Sequence, residues 1–155
     1  MKNFAIPVLF MILCSGTELN AQDSTACTLE IEFTGIRSLE GQIAVGVNSS
    51  PEGWPREPEK ELLWTKENMK DGTLVVTIEK LEYGTYAFSV LDDLDFDQEM
   101  KFFVGIPREG FGFSRNPPHK LSEPGFDECS FEVDQPRQNI TIEMRYIAIR
   151  DKTQK

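Results

Sequence analysis

Apolar side chains recur at every second position through most of the chain, with polar residues between them, as expected for strands that bury one face. In "TLEIEF" Leu29, Ile31 and Phe33 share one side, and Thr28, Glu30 and Glu32 the other. The same alternation gives Ile43, Val45 and Val47 in "GQIAVGVNS", Leu62 and Trp64 in "ELLWTK", and Leu74, Val76 and Ile78 in "GTLVVTIEKL". It continues with Tyr86, Phe88 and Val90 in "GTYAFSVLD", Phe131 and Val133 in "SFEVD", and Ile140, Ile142, Met144 and Tyr146 in "NITIEMRYI". These seven segments are the predicted strands. Turn-forming residues separate them at 35–41, 49–58, 68–72, 82–84 and 134–137. A helical turn is compatible with "SSPEGWPREPEKELL", where Ser50 suits a cap and Pro51 the first helical position. No longer stretch carries a sustained helical stripe. The pattern predicts an all-β fold, a seven-stranded antiparallel β-sandwich with a long loop between the fifth and sixth strands.

That loop runs from Asp92 to Glu128, longer than an ordinary connection in a compact domain. Its first part places Asp92, Asp93, Asp95, Asp97 and Glu99 within eight residues. Calcium loops set oxygen ligands at alternate positions, which makes Asp93, Asp95, Asp97 and Glu99 the candidate metal ligands. The glycine and the distal bidentate acid of an EF-hand loop are replaced by Gln98 and Val104. A solvated acidic loop is the ordinary expectation; a bound Ca2+ is the alternative. The second part is aromatic. Phe102, Phe103, Phe111 and Phe113, interspersed with Arg108 and Arg115, either plug one end of the sandwich or form a binding platform. Plugging is what large apolar residues in a loop usually do. On the platform reading, Trp54, Phe111, Phe113 and Arg115 are the candidate ligand- or partner-binding residues.

The opening "MKNFAIPVLFMILCSGTELNAQ" has a positive Lys2, an apolar run from Phe4 to Leu13 and a small Ala21 before the cut. It reads as a signal peptide over residues 1–21, followed by one domain over 22–155 with its core at about 27–147 and a frayed tail. The expected address is secreted or periplasmic. Leu13 stands where lipoprotein signals carry a smaller residue, so Cys14 is not read as a lipidation site. The apolar run is about half of what spans a bilayer, and no membrane insertion of the mature chain is expected. A formal charge of −10 argues against nucleic acid and anionic surfaces as partners. The mature chain keeps two cysteines, Cys27 and Cys129, and an oxidising compartment favours their pairing over two separate buried thiols. The bridge would close about 100 residues, which the chain-entropy model converts to roughly 4 to 5 kcal/mol.

The blocks "FTGIRSLEGQIAVGVNSSPEGWP", "DGTLVVTIEKLEYGTYAFSVLDD" and "VGIPREGFGFSRN" resemble the bacterial secreted domain-of-unknown-function family 2141. The resemblance covers roughly Leu29 to Tyr146. Within it "LEYGTYAFSV" resembles the Leu-x-x-Gly-x-Tyr strand start of transthyretin-like and carboxypeptidase-regulatory-like sandwiches. The family implies a sandwich and no particular activity. Its members usually carry a His-Asp-Glu-Asn-Gly-Asn-Gly loop that resembles a calcium loop, and of it only Asp92 is matched here. Catalysis has little to stand on. His119 is the lone histidine, and although Ser114 or Ser122 makes a triad with it on paper, no Gly-x-Ser-x-Gly turn frames either serine. The expected function is a non-catalytic module binding an unknown protein or small ligand through the 91–128 loop, with no cofactor. A calcium-stabilised module and, behind it, a hydrolase are the alternatives.

Overall fold

The structure, a computed structural model, describes residues 25–118, 120 and 122–147. The expected signal peptide over residues 1–21 with Cys14, His119 and the tail beyond residue 147 lie outside them. All seven expected segments are strands: β1 (Ala26–Thr34), β2 (Gln42–Asn48), β3 (Lys60–Thr65), β4 (Leu74–Glu82), β5 (Gly84–Asp93), β9 (Phe131–Val133) and β10 (Arg137–Glu143). The expected long loop is not a loop throughout. It contributes β6 (Phe102–Phe103), β7 (Ile106–Pro107), β8 (Gly110–Phe113) and a helical turn, α1 (Phe126–Cys129), which raises the strand count among the described residues to ten. No helix forms within 50–63; the chain there runs through turns into β3.

The strands form a sheet ordered β10-β1-β4, a second ordered β3-β2-β5-β8 with β9 also paired to β5, and the small β6-β7 hairpin. Leu29, Ile31 and Phe33 from the first sheet and Ile43, Val45, Phe88 and Val90 from the second belong to one buried cluster. Full burial of such side chains stabilises by roughly 1.5 to 3 kcal/mol each. The two sheets are therefore faces of a shared core, an arrangement compatible with a β-sandwich. They meet at one corner, where Phe111 N–H donates to the Arg145 carbonyl at 2.9 Å and Arg145 N–H to the Phe111 carbonyl at 2.7 Å. Along β3 and β4 the assembly stays open.

The expected all-antiparallel order needs one correction. β1 and β10 pair in parallel, with Thr28 opposite Arg137 and Thr34 opposite Glu143. Alternation marks which face is buried and is silent about strand direction, and the whole intervening chain serves as the long connection a parallel pair requires.

β8 explains the "GFGF" stretch. Its glycines face inward: a Cβ on Gly110 would lie 2.4 Å from the Tyr146 ring, and one on Gly112 would lie 2.9 Å from Ile142 Cγ2. Its phenylalanines therefore take the outer face, because successive residues of a strand point to opposite sides.

Candidate functional site

The outer face of the second sheet is built from residues between the core positions. Ser89 and Leu91 alternate with the buried Phe88 and Val90 along β5. Register places Gly46 and Phe113 on either side of Ser89, and Ala44 and Phe111 on either side of Leu91. The result is a floor of small side chains with two half-buried aromatic rings along one side. Over it stand the β6-β7 hairpin with Phe102, Ile106 and Pro107, and the proline-rich segment with Pro117, Pro118 and Pro124. Together they enclose a cleft of about 800 Å³.

Its walls are tied down. Trp54 Nε1 donates to the Pro124 carbonyl at 2.9 Å, and the indole meets Phe126 edge-on at 6.0 Å and Phe113 at 5.9 Å. Arg56 pairs with Glu123 at 3.0 Å across the same junction. Of the four expected binding residues, Phe111 and Phe113 line the cleft, while Trp54 fastens its wall. Arg115 faces elsewhere, donating to the carbonyls of Ser130 at 3.2 Å and Asp127 at 3.5 Å beside α1. The plug expectation is overturned for this group. Phe111 and Phe113 lie on a strand's outer face, and Phe102 and Phe103 on the hairpin are 51% and 53% exposed. Glycines at the inward positions of β8 leave those places to Tyr146 and Ile142 instead.

At one end of the cleft the acidic run folds back on itself. Oxygens of Asp93, Asp95 and Asp97 lie within 4.8 Å of one another, and Glu99 stands outside the group. Asp93 is fully buried and accepts from Gln42 Nε2 at 2.7 Å and from the backbone N–H groups of Asp97 and Gln98 at 3.2 Å each. Asp95 and Asp97, both exposed, hold the ammonium of Lys101, at 3.0 Å for Asp97. The solvated-loop expectation thus fits only the outer acids, and Asp93 is a buried organiser of the turn. Glu109, 5% exposed, braces the same turn by accepting from Leu94 N–H at 3.2 Å and Lys101 N–H at 3.4 Å. Burial and the charge of Asp93 raise the carboxyl of Glu61, on the cleft rim, above its usual range.

The sequence profile of the bacterial family described as "Uncharacterized protein conserved in bacteria (DUF2141)" matches residues 31–141. The chain belongs to the DUF2141 family. The match runs from β1 into β10 and takes in the cleft floor, the acidic turn and the hairpin. No curated protein and no solved structure matches the chain.

Behind the DUF2141 cleft, on the core side of the same sheet, lies a polar group that the strand pattern alone did not single out. Asp92 and Lys66 form an ion pair with both side chains 0% exposed. Lys66 also donates to the Glu40 carbonyl, and Tyr146 donates its hydroxyl to the second oxygen of Asp92. The signal was there: Lys66 prolongs the inward series Leu62, Trp64, and Asp92 prolongs Phe88, Val90. Alternation carried one step further puts both charges inside.

The expected disulfide is absent. Cys27 and Cys129 are both buried and both free. Cys27 sits on β1 in one sheet, whereas Cys129 ends the helical turn packed on β5 in the other. Burial raises the Cys27 thiol and pushes the Cys129 thiol up to about 11. Ser114, one serine of the paper triad, is fully buried; its hydroxyl donates to the Cys129 carbonyl at 2.6 Å and accepts from Phe88 N–H at 2.9 Å. Among the described residues no helix is long and apolar enough to cross a membrane.

Proposed function

We propose that this DUF2141 protein is a secreted, non-catalytic binding module on a transthyretin-like sandwich, taking a ligand or protein partner into the cleft under the 91–128 segment. The cleft itself carries the reading: about 800 Å³, with small residues on the floor and Phe111, Phe113 and Phe102 around it. Apolar concavities with a few polar rim groups are where ligands bind most often. The leader over residues 1–21 supports an extracytoplasmic address. The hydroxyl of Ser114, held between two backbone groups, supports the absence of catalysis.

The test is amide chemical-shift mapping on the isotope-labelled protein, titrated with peptides selected on it from a random displayed library. Shifts concentrated at Gly46, Ser89, Leu91 and Gly105, and lost in Phe111→Ala, are expected. Shifts centred elsewhere reject the reading.

A second reading, a calcium-stabilised module, rests on the gathering of Asp93, Asp95 and Asp97. Thermal melts in excess calcium against chelator decide it. A ligand at 100 times its dissociation constant adds about 2.7 kcal/mol, and an unchanged midpoint rejects it.

A further inference from the structure

Of the ion pairs among the described residues, Lys66 with Asp92 is the one whose two side chains are both 0% exposed. They stand 26 positions apart, at the ends of β3 and β5, with β2 between those strands. Phe88, Val90 and Trp64 continue the apolar core beside them. A buried ion pair gives up the hydration of two charges, and its mutual attraction often fails to offset that loss. The partners of the pair are also fewer than an ammonium prefers. Lys66 Nζ, with three hydrogens, meets two acceptors, the Glu40 carbonyl and Asp92 Oδ1. Asp92 Oδ2 has the hydroxyl of Tyr146.

We propose that Lys66 and Asp92 condense into an intramolecular amide that joins β3 to β5 covalently. A proton first moves from Nζ to Oδ1 along the hydrogen bond between them, giving amine and carboxylic acid with no change in net charge. The Nζ lone pair then attacks Cγ, and the carbonyl electron pair moves onto Oδ2. There the Tyr146 hydroxyl donates to the developing oxyanion, as preorganised donors do in acyl transfer. The carbonyl re-forms, the Cγ–Oδ1 bond breaks, and Oδ1 leaves as water with the proton it received and a second one from Nζ. One ammonium and one carboxylate become one amide and one water; no oxidant, reductant or co-reactant is needed.

The product suits the site better than the ions do. An amide has one N–H and one carbonyl oxygen, and both partners are in place: the Glu40 carbonyl for the first and the Tyr146 hydroxyl for the second. Two buried charges disappear, and the water released goes to bulk solvent. Holding nucleophile and acyl carbon together in a fixed contact supplies the proximity that a reaction between free chains lacks.

The experiment is mass spectrometry of the intact folded protein. The expected mass is one water below that of the unlinked chain, and proteolysis after denaturation should yield a branched peptide joining the Lys66 and Asp92 segments. Asp92→Asn removes the carboxylate that takes the first Nζ proton, and this isosteric variant should keep the mass of its unlinked chain. Tyr146→Phe should slow linkage during refolding by about a hundredfold, the usual effect of deleting one oxyanion donor. A wild-type mass equal to that of the unlinked chain overturns the proposal whatever the variants do. So does a water loss that maps to any other position, and an unchanged rate in Tyr146→Phe removes the tyrosine from the chemistry.

Discussion

The hydroxyl of Tyr146 donates to Asp92, which joins the segment just after β10 to the end of β5. The same oxygen accepts from Arg37 N–H at 3.1 Å, and the Arg37 guanidinium lies over the ring at 4.3 Å. Replacing Tyr146 by Phe leaves a buried acceptor without its donor. Urea denaturation should show a loss of about 1 to 3 kcal/mol. Equal midpoints for the two proteins would show that the bond contributes nothing.

Gly110 makes room for that ring. Gly110→Ala places a methyl 2.4 Å from Tyr146 Cε1, so the strand or the tyrosine has to move. The expected destabilisation is about 1 to 3 kcal/mol by chemical denaturation. Gly105→Ala, with nothing within 4 Å of the added methyl, should spare the core and cost only its left-handed backbone conformation, φ +75°.

The buried Cys129 thiol predicts an alkaline weakness. Burial, then the charge of Glu128, raises it from 9.0 to about 11 in the folded protein. Between those two values the unfolded chain binds fewer protons than the folded one, so stability is intact below about pH 9 and falls as pH approaches 11. The loss should be on the order of 2 to 3 kcal/mol, and Cys129→Ala should remove this part of the slope in urea titrations run at several pH values. A thiol reagent should find Cys27 and Cys129 unreactive until the protein is unfolded.

Lys101 supplies positive charge to Asp95 and Asp97. Lys101→Met leaves three carboxylates close together without it. Because the two acids that pair with Lys101, Asp95 and Asp97, are exposed, the variant should lose no more than about 1 kcal/mol. On the calcium reading, the midpoint shift on adding calcium should be larger in the variant than in the wild type, measured side by side by calorimetry. Equal responses would place any calcium effect elsewhere.

Trp54 holds the proline-rich wall through a single indole hydrogen bond to Pro124. Trp54→Phe keeps most of the packing on Phe113 and Phe126 and removes the donor, at about 1 kcal/mol. Amide exchange should quicken around Gly125 while β2 and β5 keep their protection. Unaltered exchange there would mean that the wall is held by other contacts.

Seven strands were legible because each turns its large apolar side chains to the core at alternate positions, as Ile43, Val45 and Val47 do in β2 even though the small and polar residues between them are buried too. β8 was hidden by the same logic. Its inward residues are Gly110 and Gly112 and its outward ones are aromatic, which inverts the expected pattern. The cleft was half legible: Phe111 and Phe113 were singled out, but the small floor residues Ala44, Gly46 and Ser89 carry no signal until register sets them side by side. Arg115 looked like a binding residue because composition cannot tell which carbonyls a guanidinium will find. Compartment favours pairing Cys27 with Cys129, an argument about redox conditions that knows nothing of where the fold puts each thiol, one on β1 and the other in α1.

The parallel registration of β1 with β10 has a mechanical meaning. The two strands run in the same direction over seven matched pairs, from Thr28 with Arg137 to Thr34 with Glu143. The chain therefore enters this ladder at the Ala26 end and leaves it at the opposite, Glu143 end. Tension transmitted from one flank to the other slides the strands past each other, loading the whole set of interstrand bonds at once instead of peeling them open singly. A module anchored on one side and pulled from the other would meet that force along its strongest axis.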